Sequence, residues 1–398
     1  MTKPLRIALI MQGGLNWVGG TEYIKNIIYA LASQPADIQS TFELCLIVSK
    51  TLDDKLYEQV QPYLNQVFYQ EDDLSPINLK NRIYWKILRT FQNYLNPQLE
   101  LFLEEQKFDF VYPFFTTRRA KTRYRTAAWI PDLQHKILSE FCTKSEIQAR
   151  DRSYGLIAKY ASTVVMSSQS AQSDLIKFFP ESTYKSRVLT FKTSAPDPWY
   201  EGDPHAVQKI YSLPERFFIV SNQFWQHKNH LTVFKALKLL QERAMYPIVV
   251  CTGHLHDYRQ PDYANVILKT IHQLDLSRQV YLLGLIPKID QIQLMRRSLA
   301  VIQPSLFEGW STVVEDARCL GKQIILSNFP VHLEQNPPNS VFFDGHSPEA
   351  LADCMATWWE QLTPGPDLEK EAIAKENNLK EVQAFGKRFL EIAGQAIS

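Results

Sequence analysis

The feature that most constrains this chain is a rhythm. Short runs rich in β-branched and aromatic residues alternate with longer stretches of helical periodicity. Residues 7–11 (IALIM) precede a helical pattern over 21–33, then come 44–49 (LCLIVS), 108–114 (FDFVYPF) and 163–168 (TVVMSS). Strands separated by helices cannot be joined by hairpins, so they pair in parallel and the helices cover both faces of the sheet. The rhythm pauses over 193–215, where four prolines and mixed charge predict an interdomain linker. It restarts with 217–221 (FFIVS), a helix from about His230 to Arg243, and strands over 247–253, 279–284, 300–305 and 323–327. A last helix is predicted from about Asn378 to Ala393. The fold class is therefore α/β with two Rossmann-like, doubly wound domains over residues 1–200 and 201–375, followed by a closing segment 376–398. A chain of 398 residues exceeds what one core usually serves, which agrees.

Charge and cysteine usage remove several classes of function. Lys and Arg number 43 against 42 Asp and Glu, so no overall field draws the chain to nucleic acid. Five scattered cysteines without a CxxC pair predict neither a disulfide framework nor a zinc site, and suit a reducing cytoplasm. The apolar run after Lys3 and Arg6 is too short for a signal peptide, and no stretch approaches the roughly 18 to 20 apolar residues that span a bilayer. Membrane contact would then be peripheral, at the inner face. Two segments bear on it: 118–125 holds Arg118, Arg119, Lys121, Arg123 and Arg125, and 81–95 mixes aromatic residues with Arg82, Lys86 and Arg89. Two readings stay open: a solvated basic face, or a surface for anionic lipid headgroups or a lipid-diphosphate acceptor.

In open parallel sheets, ligands bind beyond the carboxyl ends of strands, where helix N-termini attract phosphate. Three such places carry suitable residues. After the first strand, Gly13 to Glu22 open a helix; the N–H groups of Gly19 and Gly20 either face an anion or merely sit in a glycine turn. This loop is not GxGxxG and no acid ends the second strand, which argues against a nicotinamide dehydrogenase. The second place, Ser221 to His230, brings Lys228 to a loop-to-helix junction, where a cation meets phosphate. The third is Pro304 to Gly321: Glu308 stands in a loop with Gly309, Trp310 and Ser311, and a helix begins near Thr312. Carboxylates there suit sugar hydroxyls, which donate short charge-assisted bonds. With Thr312 as N-cap, Glu315 completes a Thr-x-x-Glu capping box; on the helical wheel it lies opposite Val313, Ala317 and Leu320, with Asp316 on the flank.

This third stretch resembles the E-x7-E motif of glycosyltransferase family 4, with Glu308 as first acid and Asp316, eight positions on, where the second Glu usually stands. The likeness extends to Gly19 and Gly20, the stretch from Ser167, the loop ending in Lys228, Cys251 to Gly253, and Leu282 to Gly284. It implies a GT-B fold: an N-terminal acceptor domain and a C-terminal donor domain facing a cleft, with a last helix returning to the first domain. It also implies a retaining, metal-independent enzyme without cofactor that moves a hexosyl group from a nucleotide-diphosphate sugar to a saccharide or lipid-linked acceptor, as in polysaccharide or glycolipid synthesis. By the same match Glu308 contacts the transferred sugar, Asp316 or its neighbour Glu315 the ribose, and Lys228 the diphosphate, while backbone near Gly284 and Leu285 meets the base. Asn222 stands where the family has a phosphate-binding Arg, six residues before Lys228. Trp129 to His135 resembles the acceptor-side segment, making His135 or Asp132 a partner of the reacting centre, against the alternative of a capping Asp132 and a surface His135. A GT-B epimerase or phosphorylase shares the scaffold, and a non-catalytic two-domain sugar-binding protein shares the cleft, so both stand as alternatives.

Overall fold

The computed structural model describes residues 3–14, 17–70, 94–118, 121–257 and 259–398, together with 86, 88 and 90. Two compact units result: Met1–Leu133 with Gln148–Ser194 and Leu379–Ser398, and Gln134–Ile147 with Ala195–Asn378. Among the described residues no helix is long and apolar enough to cross a membrane.

In the first unit β1 (Leu5–Ile10), β2 (Phe42–Ser49), β3 (Gln66–Gln70), β4 (Phe110–Tyr112) and β5 (Arg125–Thr126) form a parallel sheet ordered β3-β2-β1-β4-β5. The central strand is apolar on both faces, with Ile7, Ala8 and Leu9 all buried, as a sheet covered on both sides requires. A second small parallel sheet joins β6 (Ala128–Ile130), β7 (Val164–Met166) and β8 (Ser186–Val188). Helix Leu368–Ile397 starts ten residues before its predicted beginning. Its later part packs here: Gln34 donates to the Gln383 carbonyl at 2.9 Å, and Phe389 meets the ring of Tyr112 edge-on at 5.4 Å.

In the second unit β9 (Phe218–Ser221), β10 (Val249–Thr252), β11 (Val280–Gly284), β12 (Val301–Gln303), β13 (Ile324–Ser327) and β14 (Ser340–Phe343) run parallel in the order β11-β10-β9-β12-β13-β14. Counted within the unit, that is the 3-2-1-4-5-6 order of a doubly wound nucleotide-binding sheet. The segment predicted as a linker is folded instead. Pro198–Glu201 and Pro204–Ile210 are helices, Asp203 caps the second through the N–H groups of His205 and Ala206, and Trp199 and Leu213 join the core. Proline at the first turn of a helix costs no hydrogen bond, so the prolines that look like linker residues start helices here.

Candidate active site

In the second unit, β9 and β12 are neighbours whose onward connections lead to opposite sides of the sheet, which opens a crevice at their carboxyl ends. The polar residues at those two ends meet. Asn222 and Gln303 are buried and face each other amide to amide: Asn222 Nδ2 donates to Gln303 Oε1 at 2.8 Å, and Gln303 Nε2 returns to Asn222 Oδ1 at 3.3 Å. Gln303 Nε2 also donates to Glu308 Oε1 at 2.9 Å, and Lys228 Nζ reaches the same oxygen at 2.6 Å. Neither long side chain is free in water; Lys228 is 16% and Glu308 9% exposed. Their pairing is therefore screened less than a surface ion pair.

The Lys228 loop is held by its successor. Asn229 adopts left-handed φ +59, donates to the carbonyls of Pro304 and Gly345 at 3.1 and 2.8 Å, and accepts from Thr232 Oγ1 at 2.8 Å. The N–H of Leu306 bonds the His227 carbonyl at 2.9 Å and ties the Glu308 loop to the same place. Gly253, after β10, lies so close that a Cβ would meet the Asn222 carbonyl oxygen at 2.1 Å, so only glycine fits. His230, at the start of helix His230–Glu242, stacks on Phe224 at 4.1 Å; burial first, and Lys228 second, push its pKa down to about 3, so the ring is neutral. His332 is likewise held down, to about 4, chiefly by burial.

Helix Thr312–Cys319 follows the Glu308 loop, and its cap corrects the sequence reading. Ser311, not Thr312, is the N-cap: its Oγ accepts from the Val314 N–H at 3.4 Å. The frame moves by one residue and no capping box forms. Glu315 is also not on an open face, because Gln335 donates to it at 3.0 Å, Arg318 approaches to 3.3 Å, and it is 1% exposed. Asp316 is equally buried and bonds Lys288, at the start of helix Lys288–Arg297. The N–H groups of Thr312 and Val313 find no acceptor among the described residues, as the first turn of a helix leaves them. Gly309 and Trp310 lie in the loop before this helix, partly exposed. At the end of β11, Gly284 takes φ +68 with open space about it, and Leu285 is 68% exposed.

The first unit's predicted anion loop is built differently. Gly19 and Gly20 lie in the first turn of helix Val18–Ala32, and the Gly20 N–H is spent on the Trp17 carbonyl at 3.2 Å. A Cβ on Gly20 would meet the Trp17 ring at 2.9 Å, so this glycine makes room for an indole and its N–H is not offered to an anion. That ring stacks on Trp129 at 5.5 Å, and Trp129 in turn on Tyr23 at 4.0 Å. Asp132 belongs to this unit and pairs with Arg150 at 3.8 Å, whereas His135 belongs to the other and is 1% exposed, which corrects the surface reading of that histidine.

The basic run 118–125 divides as well. Arg118 lies over the ring of Tyr94 at 3.5 Å and near Glu100 at 3.9 Å, while Lys121 and Arg123 are exposed. Arg119 and most of 81–95 lie outside the described residues. A cavity of about 390 Å³ lies among Arg125, Ser162, Thr163, Tyr184, Lys185 and Arg187, at the amino ends of β5, β7 and β8. Among the described residues no three His, Cys, Asp or Glu side chains are grouped to hold a metal ion.

Sequence reading missed Gln303, Asn229 and Lys288. Their partners lie 81, 75 and 28 residues away, a separation no local pattern signals.

Two parallel doubly wound units, the second with its polar residues gathered at the switch point, define the GT-B fold of glycosyltransferases. Residues 207–379, which take in all six strands of the second unit's sheet, match the family described as glycosyl transferases group 1. Among solved structures, a glycosyltransferase from Rickettsia africae is similar at TM-score 0.68 and 17% identity, with 99% of each chain covered. Anabaena HepE in complex with UDP and glucose gives 0.67 and 15%, covering 98% of this chain and 100% of its own. Sucrose-phosphate synthase from Thermosynechococcus elongatus gives 0.63 and 14%, covering 98% and 97%. At these identities the likeness is one of fold. No curated protein matches the sequence.

Proposed function

We propose that this chain is a retaining glycosyltransferase that moves a hexosyl group from a nucleotide-diphosphate sugar to a saccharide or lipid-linked acceptor. One observation carries the reading. Glu308 and Lys228, from loops after β12 and β9, meet at 2.6 Å at the switch point of a 3-2-1-4-5-6 sheet, next to the unspent N–H groups at the start of helix Thr312–Cys319. Cation, helix N-terminus and carboxylate are what a diphosphate joined to a sugar needs at one place.

In this reading Lys228 and the N–H groups of Thr312 and Val313 take the diphosphate and stabilise the charge that grows on it as the glycosidic bond breaks. Glu308 accepts from hydroxyls of the transferred sugar, Asp316 from the ribose, and backbone at Gly284 and Leu285 lines the base. Asn222 brings no charge where the resembled family has Arg, and its amide is already held by Gln303. Nucleotide recognition is supported by the group 1 match over 207–379 and by the UDP complex of the Anabaena neighbour. Retention rests on the resemblance of the Glu308 stretch. The reading includes no metal, and that too rests on the resemblance of the Glu308 stretch. We place the enzyme in the cytoplasm, with acceptor binding in the first unit, where aromatic rings and basic residues gather.

A thermal-shift screen against UDP, GDP, ADP and their sugars tests it, since a ligand at a hundred times its dissociation constant adds about 2.7 kcal/mol of stability. Product analysis then decides the chemistry. Free nucleotide diphosphate with a glycosylated acceptor is the expected result, unchanged by EDTA. An isomerised nucleotide sugar makes the protein an epimerase, and binding without turnover makes it a sugar-binding protein.

A further inference from the structure

We propose that Gln303 is a positioning residue that fixes which oxygen of Glu308 is offered to the transferred sugar; this rests on the transferase reading above. Gln303 is the last residue of β12 and has no exposed surface, so its amide is set by its partners alone. An amide nitrogen has two hydrogens. One closes the pair with Asn222, whose own Nδ2 donates to Gln303 Oε1 at 2.8 Å. The Glu308 carboxylate fixes the amide: turned over, it would present an oxygen to the carboxylate, whereas the Asn222 pair would re-form if both amides turned together. The second hydrogen therefore goes to Glu308 Oε1, the nearest acceptor at 2.9 Å, with Ser305 and Ser311 Oγ at 3.2 Å.

The consequence lies at Glu308. Oε1 takes both Gln303 and Lys228, while Oε2 has no partner among the described residues. One oxygen is anchored by two donors and the other is left to accept from a sugar hydroxyl. Asn222 is the far end of this chain. At the position where the resembled family carries a cation, this protein has an amide that holds Gln303, which holds Glu308. A group aimed in advance acts on the transition state without reorganising, so the effect belongs in kcat.

Gln303→Met removes the donor at nearly constant volume, and Gln303→Glu replaces it with a carboxyl that donates only while protonated. The assay is release of UDP or GDP from UDP-glucose and GDP-mannose. For Gln303→Met the expected result is a kcat lowered about tenfold to a hundredfold, the rate equivalent of one hydrogen bond to a charged group, with the nucleotide-sugar KM little changed. For Gln303→Glu, two facing carboxyls hold a proton to higher pH than either alone, against the pull of the Lys228 ammonium on the same oxygen and with nearby His332 kept neutral by burial, so kcat should fall from about pH 5.5 to 8 while the wild type shows no such decline. A merely structural Gln303 would lower the melting temperature without adding that pH limb. Wild-type kcat in Gln303→Met, or a pH profile for Gln303→Glu that parallels the wild type, overturns the proposal and leaves the transferase reading in place. If Gln303→Met does not fold, the Gln303→Glu profile decides alone. A wild-type chain that releases neither nucleotide removes the transferase reading and this proposal with it.

Discussion

The two units place a loop at the same topological position, between the first strand of the main sheet and the helix that follows it, and fill it in opposite ways. After β1, most polar groups bond within the loop: Thr21 Oγ1 accepts from the Gly14 N–H and donates to the Gln12 carbonyl, both at 3.0 Å, and the Gly20 N–H goes to Trp17, while the Gly19 N–H has no acceptor among the described residues and no lysine beside it joins the loop's bonds. Stacked rings occupy the remaining space. After β9, the loop presents a lysine that shares its charge with a carboxylate from a neighbouring strand end, beside N–H groups that nothing takes up. Topology therefore offers a site twice, and the side chains decide where charge is left available. A glycine-rich loop is weaker evidence of anion binding than an amide or ammonium with hydrogens to spare.

Substitutions on the two sides should separate cleanly. The largest effect is expected for Glu308→Gln, which keeps size and removes charge: turnover of a nucleotide sugar should fall on the order of a hundredfold to a thousandfold, as when one preorganised group of an active site is lost. Retained turnover would take Glu308 out of the mechanism. Lys228→Ala should weaken nucleotide-diphosphate binding by about 1.5 to 3 kcal/mol in calorimetry, the worth of a charge-assisted contact, and unchanged affinity would detach the lysine from the phosphates.

In the first unit, Gly20→Ala pushes a methyl into the Trp17 ring. A loss of about 1 to 3 kcal/mol in denaturant unfolding is expected, with nucleotide affinity intact. Loss of that affinity would instead restore an anion site after β1. Asp316→Asn should raise the donor KM about two- to tenfold, one modest hydrogen bond, whereas Glu315→Gln should leave KM alone and lower the melting temperature through Gln335 and Arg318. The reverse pattern would move the ribose contact back one residue.

The smallest effect is a pH slope. Unfolded, His230 and His332 take up a proton near the ordinary 6.5; folded, they resist until about 3 and 4, because burial disfavours the charge. Their neutral burial costs nothing above that ordinary value, and stability declines as pH drops through it, by roughly 0.7 kcal/mol per histidine between pH 7 and 6. His230→Phe should flatten part of that slope in thermal melts, and an unchanged slope would show that this ring is not kept neutral.

Sequence alone places the strands that carry the site because they are apolar on both faces. Edge strands β3, β8 and β14 escape it, being short or partly polar, with Gln66 and Gln70 at the two ends of β3. Lys228 and Glu308 are legible because charge at a strand end is informative by itself. Their contact, and the amide chain behind it, are not, since residues 80 apart must first be folded together. Ser311 and Thr312 are both good caps, and only the backbone shows which one turns into the helix; that single step moves Glu315 out of its expected capping position.

The boundary between the two units falls inside helix Leu368–Ile397, and residues 134–147 of the chain's first half belong to the second unit. Exchange of one unit with a relative's is thus no single splice. It requires junctions near 133, 147, 194 and 378, the last inside a helix, whereas a single crossover near 194 would leave that helix intact but set its last twenty residues against a first unit from the other parent. Libraries that shuffle the two units should keep the final twenty residues with the parent that supplies the amino-terminal strands.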